Sequence, residues 1–382
     1  MFIKRNLNLA QHLQNKSILL LGPRRTGKSS FIKNQIKPDL YINLLEASVY
    51  SQYAYNPSLI QKVIKSNHKI ICIDEIQKLP LLMDEVHSLI EKFPDKKFIL
   101  TGSSAKNLKK SHTSLMAGRA RQVPFFPFTY NEVKNHQFNL NKFLLYGGLP
   151  EAYLSVDPWN ELKDYSGTYL TKEIQASAFV RKIENYSRFL KFSALSSGEL
   201  LNFENLASDA MISSRTIKDY YQLLEETLIG YNLPAFRKKN SRKEISTSKF
   251  YFFDNGVLNA FIGRKNISEK SPEFGNLFEH FIFHELNSYQ KVNRFDWELE
   301  FWRTHVKDEV DFILGGGEVA IEVKASSQIK KEHLKGLLKF KENHSAKKLI
   351  TVCQSVKKET LEGVEIYPWQ QFIEDLHAGL II

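Results

Sequence analysis

Cysteine is scarce in this chain: only Cys72 and Cys353 occur among its 382 residues. Both lie inside short apolar runs, which indicates small buried side chains rather than a disulfide or a metal site. No apolar run approaches the roughly 20 residues that a membrane-spanning helix needs. The N-terminus also lacks the charged segment and apolar core of a secretory signal. These absences favour a reducing compartment, most simply the cytoplasm, and no membrane partner.

Acidic residues are outnumbered by basic ones. The chain has 53 Lys and Arg against 42 Asp and Glu, for a formal net charge of +11. Such an excess favours nucleic acid or another anionic partner, although many basic proteins bind neither. Low-complexity tracts and internal repeats are absent, and the length favours two or three globular domains.

The first part of the chain, to about residue 130, alternates short apolar runs with helix-length polar segments. This texture is typical of an α/β fold whose parallel strands are buried on both faces. The predicted strands are Ser17–Leu21, Leu40–Ile42, Lys69–Ile73, Lys97–Leu100 and Gln122–Phe125.

The segment Gly22–Ser29 fits the pattern G-x-x-x-x-G-K-[ST] without deviation, between an apolar strand and a helix start. In such a loop the backbone N–H groups surround phosphates, Lys28 reaches the β- and γ-phosphates, and Ser29 ligates Mg²⁺. A chance match is the alternative, and the flanking elements argue against it. We therefore expect ATP and Mg²⁺ as cofactors. The predicted binding residues are Gly22, Pro23, Arg24, Arg25, Thr26, Gly27, Lys28, Ser29 and Ser30.

A second polar pair follows the apolar run that begins at Ile70. Asp74 and Glu75 fall at the C-terminal end of this predicted strand, the edge where open α/β sheets bind ligands. Asp74 is predicted to hold the Mg²⁺ shell with Ser29, and Glu75 to polarise the attacking water. An apolar run ending in Asp-Glu is common by itself, and the upstream phosphate loop makes it specific.

Two further residues complete the predicted catalytic set of Glu75, Lys28, Ser103 and Arg119. Ser103 ends another apolar strand and could lie beside the γ-phosphate; the alternative is an ordinary strand-to-helix turn. Arg119 could stabilise charge at the γ-phosphate, in cis or from a neighbouring subunit. Exposed arginines near a strand start are more often merely solvated.

The middle of the chain predicts two helices, Leu200–Ser208 and Ser214–Thr227, with Ser213 or Ser214 as the cap of the second. A basic segment follows, with six Lys or Arg and one acid, Glu244, between residues 237 and 249. Helix, turn, helix and charged hairpin form the outline of a winged helix. A solvated hairpin, or a winged helix used in protein packing, is the alternative. The predicted DNA contacts are Arg215, Lys218, Arg237, Lys238, Lys239, Arg242 and Lys243, with Lys249 at the end of the same segment.

The last part predicts a long helix, Glu273–Tyr289, and a strand at Trp297–Arg303. A hairpin about a triglycine turn joins Glu309–Leu314 to Glu318–Lys324. A helical stretch and Lys348–Val352, taken as the final strand, complete an α/β unit.

Asp311, with Glu322 and Lys324, has the spacing of a D…(D/E)-x-K nuclease centre. Residues i and i+2 of a strand share a face, and the turn would bring Asp311 alongside, with Glu279 as a fourth member. Such carboxylates can hold Mg²⁺ while the lysine steadies charge at the reacting phosphate. A solvated hairpin face, or a nuclease-like fold without activity, is the alternative. His280 and His284 are predicted to be packing or surface residues rather than zinc ligands.

Taken together, the chain resembles prokaryotic ATPases with an AAA-type P-loop domain followed by a C-terminal domain of the DUF4143 type. The resemblance covers nearly the whole chain. It rests on Gly-Pro-Arg-Arg-Thr-Gly-Lys-Ser, Ile-Asp-Glu-Ile-Gln77, Leu-Thr-Gly-Ser-Ser, Ala-Gly-Arg119, Tyr-Gly-Gly-Leu-Pro150-Glu, Phe-Phe-Asp254-Asn-Gly, Gly275-Asn-Leu-Phe-Glu279, Glu-Val-Asp311-Phe and Ile-Glu322-Val-Lys324.

This resemblance implies a P-loop ATPase core at 1–130 and a helical lid at 131–184. It further implies a winged-helix segment at 185–265 and a PD-(D/E)xK nuclease-like α/β domain at 266–382. Ring assembly is common among AAA-type ATPases, so a homo-oligomer is left open. Two functional hypotheses follow: an ATP-driven protein that acts on DNA, or a nucleotide-dependent interaction switch whose C-terminal domain binds without cleaving.

Overall fold

The computed structural model describes residues 1–103, 118–169, 182–237 and 244–382. They form two compact units. The first comprises Met1–Phe128 with Leu223–Ile229, and the second comprises Thr129–Gln222 with Gly230–Ile382. In these ranges no helix is long and apolar enough to cross a membrane. Both cysteines are free and buried, as the sequence predicted.

A five-stranded sheet is the centre of the first unit, in the order β2-β3-β4-β1-β5 with every neighbouring pair parallel. The prediction of a parallel α/β sheet is confirmed, with strand ends shifted by one or two residues. Its strands are β1 (Ser17–Leu21), β2 (Leu40–Asn43), β3 (Ile70–Asp74), β4 (Lys97–Gly102) and β5 (Ala120–Pro124).

Helices connect these strands and cover the sheet. In Leu81–Lys92, the buried residues Leu82, Val86 and Leu89 recur at helical spacing and pack into one apolar cluster with residues of the sheet. The other α-helices of the unit are Leu9–Leu13, Lys28–Phe31, Ala47–Tyr55 and Leu59–Val63, with a π-turn at Ile32–Ile36 and a 3₁₀ turn at Ile76–Lys78.

The second unit begins with a largely helical region. Ser213 caps the helix Ser214–Glu226, whose residues to Gln222 belong to this unit: the Ser213 Oγ accepts from the Thr216 N–H at 3.2 Å. The α-helices are Tyr130–Val133, Leu140–Tyr146, Pro150–Leu154, Pro158–Asp164, Ile183–Leu195, Phe203–Ala210, Ser214–Glu226, Asn255–Ile262, Pro272–Asn293, Lys335–Asn343 and Trp369–His377.

Two short strands follow the capped helix. These are β6 (Gly230–Leu233) and β7 (Lys249–Phe252), and they pair antiparallel. The segment between them contains Lys238, Lys239, Arg242 and Lys243, which lie outside the described residues.

A six-stranded mixed sheet completes the second unit, in the order β12-β13-β11-β10-β9-β8. The prediction that Lys348–Val352 is the last strand is wrong. Two strands follow it, and β13 continues the sheet by pairing parallel with β11. The strands are β8 (Leu299–Arg303), β9 (Glu309–Leu314), β10 (Val319–Lys324), β11 (Lys348–Cys353), β12 (Glu359–Leu361) and β13 (Val364–Pro368).

Candidate functional site

The phosphate-binding pattern forms a loop between β1 and the helix Lys28–Phe31. Residues 22–27 make the loop, and Lys28, Ser29 and Ser30 open the helix, whose first bond runs from Phe31 N to Gly27 O at 2.8 Å. Only glycine fits at position 22, because a Cβ there would lie 2.1 Å from the carbonyl oxygen of Phe125. The sequence therefore places the loop where β1 ends and packs it against the chain after β5.

Lys28 points back into this loop. Its ammonium donates to the carbonyl oxygens of Gly22 at 2.7 Å and Pro23 at 2.9 Å. The Thr26 hydroxyl donates to the same Pro23 oxygen at 2.8 Å. The charge of Lys28 is thus held inside the ring of backbone where phosphate oxygens of a nucleotide would be the stronger acceptors.

Asp74 gathers three hydroxyl groups at the end of β3. Its Oδ2 accepts from the Ser29 Oγ at 2.6 Å and also from the Tyr41 hydroxyl, and its Oδ1 accepts from the Thr101 hydroxyl. Only 1% of Asp74 is exposed. Burial and the adjacent Asp74 carboxylate raise the pKa of Tyr41 above its ordinary value. The Ser29 hydroxyl and the Asp74 carboxylate are oxygen ligands of the kind that Mg²⁺ prefers, so the residues fit this ion.

Glu75 has a left-handed backbone, with φ of 60°, which costs a non-glycine residue about 1–3 kcal/mol. Its N–H donates to the Thr101 hydroxyl at 3.0 Å, and its carboxylate accepts from the side chain of Gln77. At Glu75 the chain leaves β3, which ends at Asp74, and enters the 3₁₀ turn Ile76–Lys78. Strain of this kind recurs at functional sites.

A chain of polar contacts links Glu75 to the phosphate loop. The Gln77 amide that bonds Glu75 also donates to the Ser103 hydroxyl at 3.2 Å, and the Arg24 guanidinium reaches that hydroxyl at 3.4 Å. The structure therefore joins Ser103 to Glu75, the predicted water-polarising residue, through the side chain of Gln77. Gln77 had no role in the sequence analysis, although it belongs to the Ile-Asp-Glu-Ile-Gln motif.

Arg119 lies away from these groups. It precedes Ala120, which pairs with Ser17 at the start of β1, whereas Gly22 follows the end of β1. Since the strands are parallel, Arg119 lies at the edge of the sheet where the strands begin, opposite the edge where they end and the phosphate loop follows β1. Its guanidinium pairs with Glu91. This placement corrects the expectation that Arg119 acts on phosphate in cis; action from a neighbouring subunit remains a prediction.

Arg5 supports the loop from the N-terminal segment, a role that its sequence context does not signal. The buried guanidinium donates to the carbonyl oxygens of Thr26 at 3.0 Å and Phe126 at 2.7 Å. It also lies 4.2 Å from the centre of the Phe125 ring and 5.0 Å from that of Phe128. Arg5 thereby ties the phosphate loop to the chain that follows β5.

The C-terminal acids converge on the hairpin of β9 and β10. Asp311 and Glu322 are only 7% and 8% exposed, which excludes an ordinary solvated face. The Asp311 Oδ2 accepts from the Val323 N–H at 2.7 Å, and Lys324 pairs with Glu322. Burial raises the pKa of Asp311 well above its usual range, and the nearby Glu322 carboxylate adds to this shift.

Lys249 lies among these carboxylates and not on a solvated basic hairpin. It is 3% exposed, and its ammonium is 2.7 Å from the Glu309 Oε1 and 3.4 Å from the Glu279 Oε1. The Tyr251 hydroxyl also donates to Glu279. Burial disfavours the charged lysine, but the surrounding acids outweigh burial and raise the pKa of Lys249 well above its ordinary value. The expectation that Lys249 is available to DNA is therefore wrong.

The fit of a metal ion to this cluster is incomplete. Across the described ranges, no three His, Cys, Asp or Glu side chains are arranged as a group that could hold one. Glu309 is occupied by Lys249 and by Arg303, the latter at 3.0 Å, while Glu322 is paired with Lys324. As arranged, the cluster is balanced by side-chain cations.

Comparisons with family models match the region of the phosphate loop and the region of the C-terminal acids. Residues 14–134 match the family model of the AAA domain, and residues 274–372 match a domain of unknown function, DUF4143. The predicted resemblance is confirmed. The AAA match spans the phosphate loop, Asp74 and Glu75, so this region is a nucleotide-binding P-loop domain of the AAA type. Residues 137–268 match a further domain of unknown function, DUF8612.

Two similar proteins are described as uncharacterized. An uncharacterized protein of Haemophilus influenzae is 23% identical over 95% of this chain and 96% of its own length. An uncharacterized protein of Methanocaldococcus jannaschii is 25% identical over 95% of this chain and 80% of its own. Among solved structures, Pif1 helicase from Candida albicans is 12% identical, with a TM-score of 0.24 over 44% of this chain and 48% of that one. This TM-score is too low for the fold or the function of this chain to be inferred from that structure.

Three of the seven predicted DNA-contacting residues lie in the described part of the chain. Arg215 and Lys218 are exposed on the helix Ser214–Glu226, and Arg237 is exposed after β6. The other four lie outside the described residues.

His280 and His284, which the sequence predicts to be packing or surface residues, are both buried. The His280 Nε2 lies 2.6 Å from the carbonyl oxygen of Phe252, and burial lowers the pKa of His280 to about 3. A similar structural role explains two of the family motifs. Asp254 accepts from the Gly148 N–H at 2.7 Å and caps the helix Asn255–Ile262 by accepting from the Val257 N–H at 3.0 Å.

Proposed function

We propose that the N-terminal domain hydrolyses ATP with Mg²⁺. The observation that carries this proposal is the 2.6 Å hydrogen bond between Ser29 and Asp74, which joins the phosphate loop to the end of β3. Ser29 and Asp74 would hold Mg²⁺, which supplies neutralising charge at the β- and γ-phosphates when bound. Lys28 would exchange its carbonyl partners for phosphate oxygens.

In the same proposal, Glu75 orients and polarises the attacking water, and Gln77 holds its carboxylate until the nucleotide is in place. Ser103, bonded by both Gln77 and Arg24, is the group through which the loop and Glu75 communicate. Arg119 would act only from a neighbouring copy in a homo-oligomer, given its position at the opposite sheet edge.

Nucleotide binding is tested by calorimetric titration of ATP, with Mg²⁺ present, into wild type and Lys28→Ala. Lys16→Ala, which removes an exposed lysine from the same unit, is the matched control. We expect no measurable heat from Lys28→Ala and wild-type affinity from Lys16→Ala. Equal affinity in all three proteins would remove the phosphate loop from binding.

We further propose that the protein acts on DNA. Exposed Arg215, Lys218 and Arg237, and the capped second helix followed by the β6–β7 pair, support a winged helix at 185–265. The buried Asp311 and Glu322 and the half-buried Lys324, on the adjacent strands β9 and β10, support a nuclease-like domain at 266–382. The helical segments between 131 and 184 would form the lid. The net charge of +11 suits the anionic partner.

The second candidate is a nucleotide-dependent switch whose C-terminal domain binds without cleaving, and the buried Lys249 among the acids favours it. Incubation with plasmid and single-stranded DNA, with Mg²⁺ or Mn²⁺ and with or without ATP, separates the two. Cleavage by wild type and not by Glu322→Ala supports the nuclease. Intact DNA under every condition supports the switch.

A further inference from the structure

Two residues of β7, Lys249 and Tyr251, contact the carboxylate of Glu279. Lys249 and Tyr251 are two apart, so their side chains share one face of the strand. The ammonium of Lys249 and the hydroxyl of Tyr251 both contact the Glu279 Oε1, the former at 3.4 Å. Lys249 also contacts Glu309 at 2.7 Å. A strand outside the β9–β10 hairpin therefore delivers a positive charge into the acid cluster.

This charge has the position and the partners that a bound cation would have. Hard cations are bound by carboxylate oxygens together with water. The 3% exposed Lys249 lies between two carboxylates, those of Glu279 and Glu309. A buried ammonium and a divalent ion would repel each other strongly at such short range, so the cluster accommodates one or the other.

One carboxylate oxygen of the cluster, on Glu322, has no hydrogen-bond partner among the described residues. Glu322 is 8% exposed and uses its Oε1 to pair with Lys324, while its buried Oε2 has no hydrogen-bond partner. A buried carboxylate oxygen without a partner is costly, and one explanation for such a group is an ion that binds there in another state of the protein. The Glu322 Oε2 could therefore act as a ligand to a cation once the side chains rearrange.

We propose that Lys249 is the resident cation of this cluster, and that the cluster binds a divalent ion such as Mg²⁺ or Mn²⁺ only when Lys249 is withdrawn. The inference rests on the proposed nuclease-like centre. It names Glu279, Glu309, Asp311 and Glu322 as the acids among which the ion is exchanged for the ammonium.

The test is calorimetric titration of Mn²⁺ into the full-length protein without nucleotide. Every protein in this series, including the parent, carries Ser29→Ala, so that Mn²⁺ binding at the phosphate loop is weakened equally in all of them. Lys249→Met removes the charge at similar length, and Lys249→Arg keeps it. Lys96→Met is the matched control, because Lys96 is also buried but donates to the backbone carbonyls of residues 65, 66 and 68 and lies 3.9 Å from the exposed carboxylate of Asp95, outside the acid cluster.

We expect Lys249→Met to bind one additional Mn²⁺ at least about tenfold more tightly than its parent, since one unit charge is removed from beside the ligands. Lys249→Arg and Lys96→Met should match the parent. Adding Glu279→Gln to Lys249→Met should abolish the additional binding. If the parent binds this ion as tightly as Lys249→Met, or if folded Lys249→Met does not bind it, the inference is overturned.

Lys249→Met also leaves buried acids without a counter-charge, so its folding is measured by circular dichroism with and without Mn²⁺. If it unfolds without metal, recovery of the fold by Mn²⁺, absent when Glu279→Gln is added, supports the inference; no recovery overturns it. DNA cleavage is read separately. A Lys249→Met protein that binds Mn²⁺ but leaves DNA intact contradicts the nuclease activity and not the cation exchange.

Discussion

The Ser29 hydroxyl donates a 2.6 Å hydrogen bond to the Oδ2 of Asp74, joining residues 45 positions apart in the chain. The parallel order β3-β4-β1 brings the ends of their strands to one edge of the sheet. Because the Tyr41 and Thr101 hydroxyls hold the same carboxylate, its position is defined from three separate elements. A preformed carboxylate of this kind is suited to hold a Mg²⁺ shell without rearrangement of the backbone.

Asp74→Asn should raise the Mg²⁺ concentration needed for half-maximal phosphate release at least about tenfold, because a neutral amide is a weaker ligand than a carboxylate. Phosphate release at saturating ATP, titrated with Mg²⁺, measures this. Tyr41→Phe, which removes one of three hydroxyl donors, should change the value far less. An unchanged Mg²⁺ requirement in Asp74→Asn would remove Asp74 from metal binding.

Arg5→Met should lower the free energy of unfolding by about 2–4 kcal/mol, since it removes buried charged hydrogen bonds and ring contacts. Weaker ATP binding should accompany this, because the Thr26 carbonyl loses its anchor. Thermal unfolding and calorimetric ATP titration are the measurements. Lys4→Met, at an exposed neighbour, should leave both quantities unchanged. Wild-type ATP affinity in Arg5→Met would confine Arg5 to a structural role.

Glu285→Gln should remove a loss of stability at high pH. Burial raises the pKa of Glu285 from 4.5 to about 8 in the folded protein. The folded state therefore retains a proton that the unfolded chain releases, and stability falls as pH rises between these two values. Above pH 8 the variant should be more stable by about 5 kcal/mol, because the pKa rises from 4.5 to about 8 and each pKa unit corresponds to about 1.4 kcal/mol. The measurement is the free energy of urea unfolding of wild type and Glu285→Gln at pH 5 and at pH 9. The same difference between the two proteins at both pH values would contradict the prediction.

Replacing Arg237, Lys238 and Lys239 with glutamine should weaken DNA binding and reduce its logarithmic salt slope by about 2–3, because each phosphate contact contributes about 0.9. Fluorescence anisotropy with duplex DNA between low and moderate salt gives the slope. Neutralising three exposed lysines of the first unit, Lys16, Lys62 and Lys65, is the charge-matched control. A slope equal to that of the control would exclude the basic segment from DNA contact.

Much of the first unit could be predicted because local patterns determine it. Apolar runs gave the five parallel strands to within a few residues, and the P-loop motif located the turn at Gly22. Arg119 shows the limit. Its motif was visible, but its position at the opposite sheet edge depends on strand direction and on the pairing of β5 with β1.

The second unit could be predicted less completely because long-range placement decides its chemistry. Asp311 and Glu322 were singled out from spacing alone. Lys249, in a run of basic residues, had the sequence context of an exposed side chain. It is buried because the β7 strand carries it into the acid cluster, a contact between distant segments that no periodicity reports. Arg5 was missed for the same reason, since its partners Thr26 and Phe126 are 21 and 121 positions away.

The central claim, ATP hydrolysis with Glu75 at the water, is tested most directly by phosphate release and ATP affinity measured together on wild type and Glu75→Gln. Glu46→Gln, on an exposed acid of the same unit, is the control. We expect Glu75→Gln to bind ATP like wild type and to release phosphate at least about 100-fold more slowly, the scale of a lost general base. Normal turnover in Glu75→Gln, or none in wild type with ATP bound, would contradict the account.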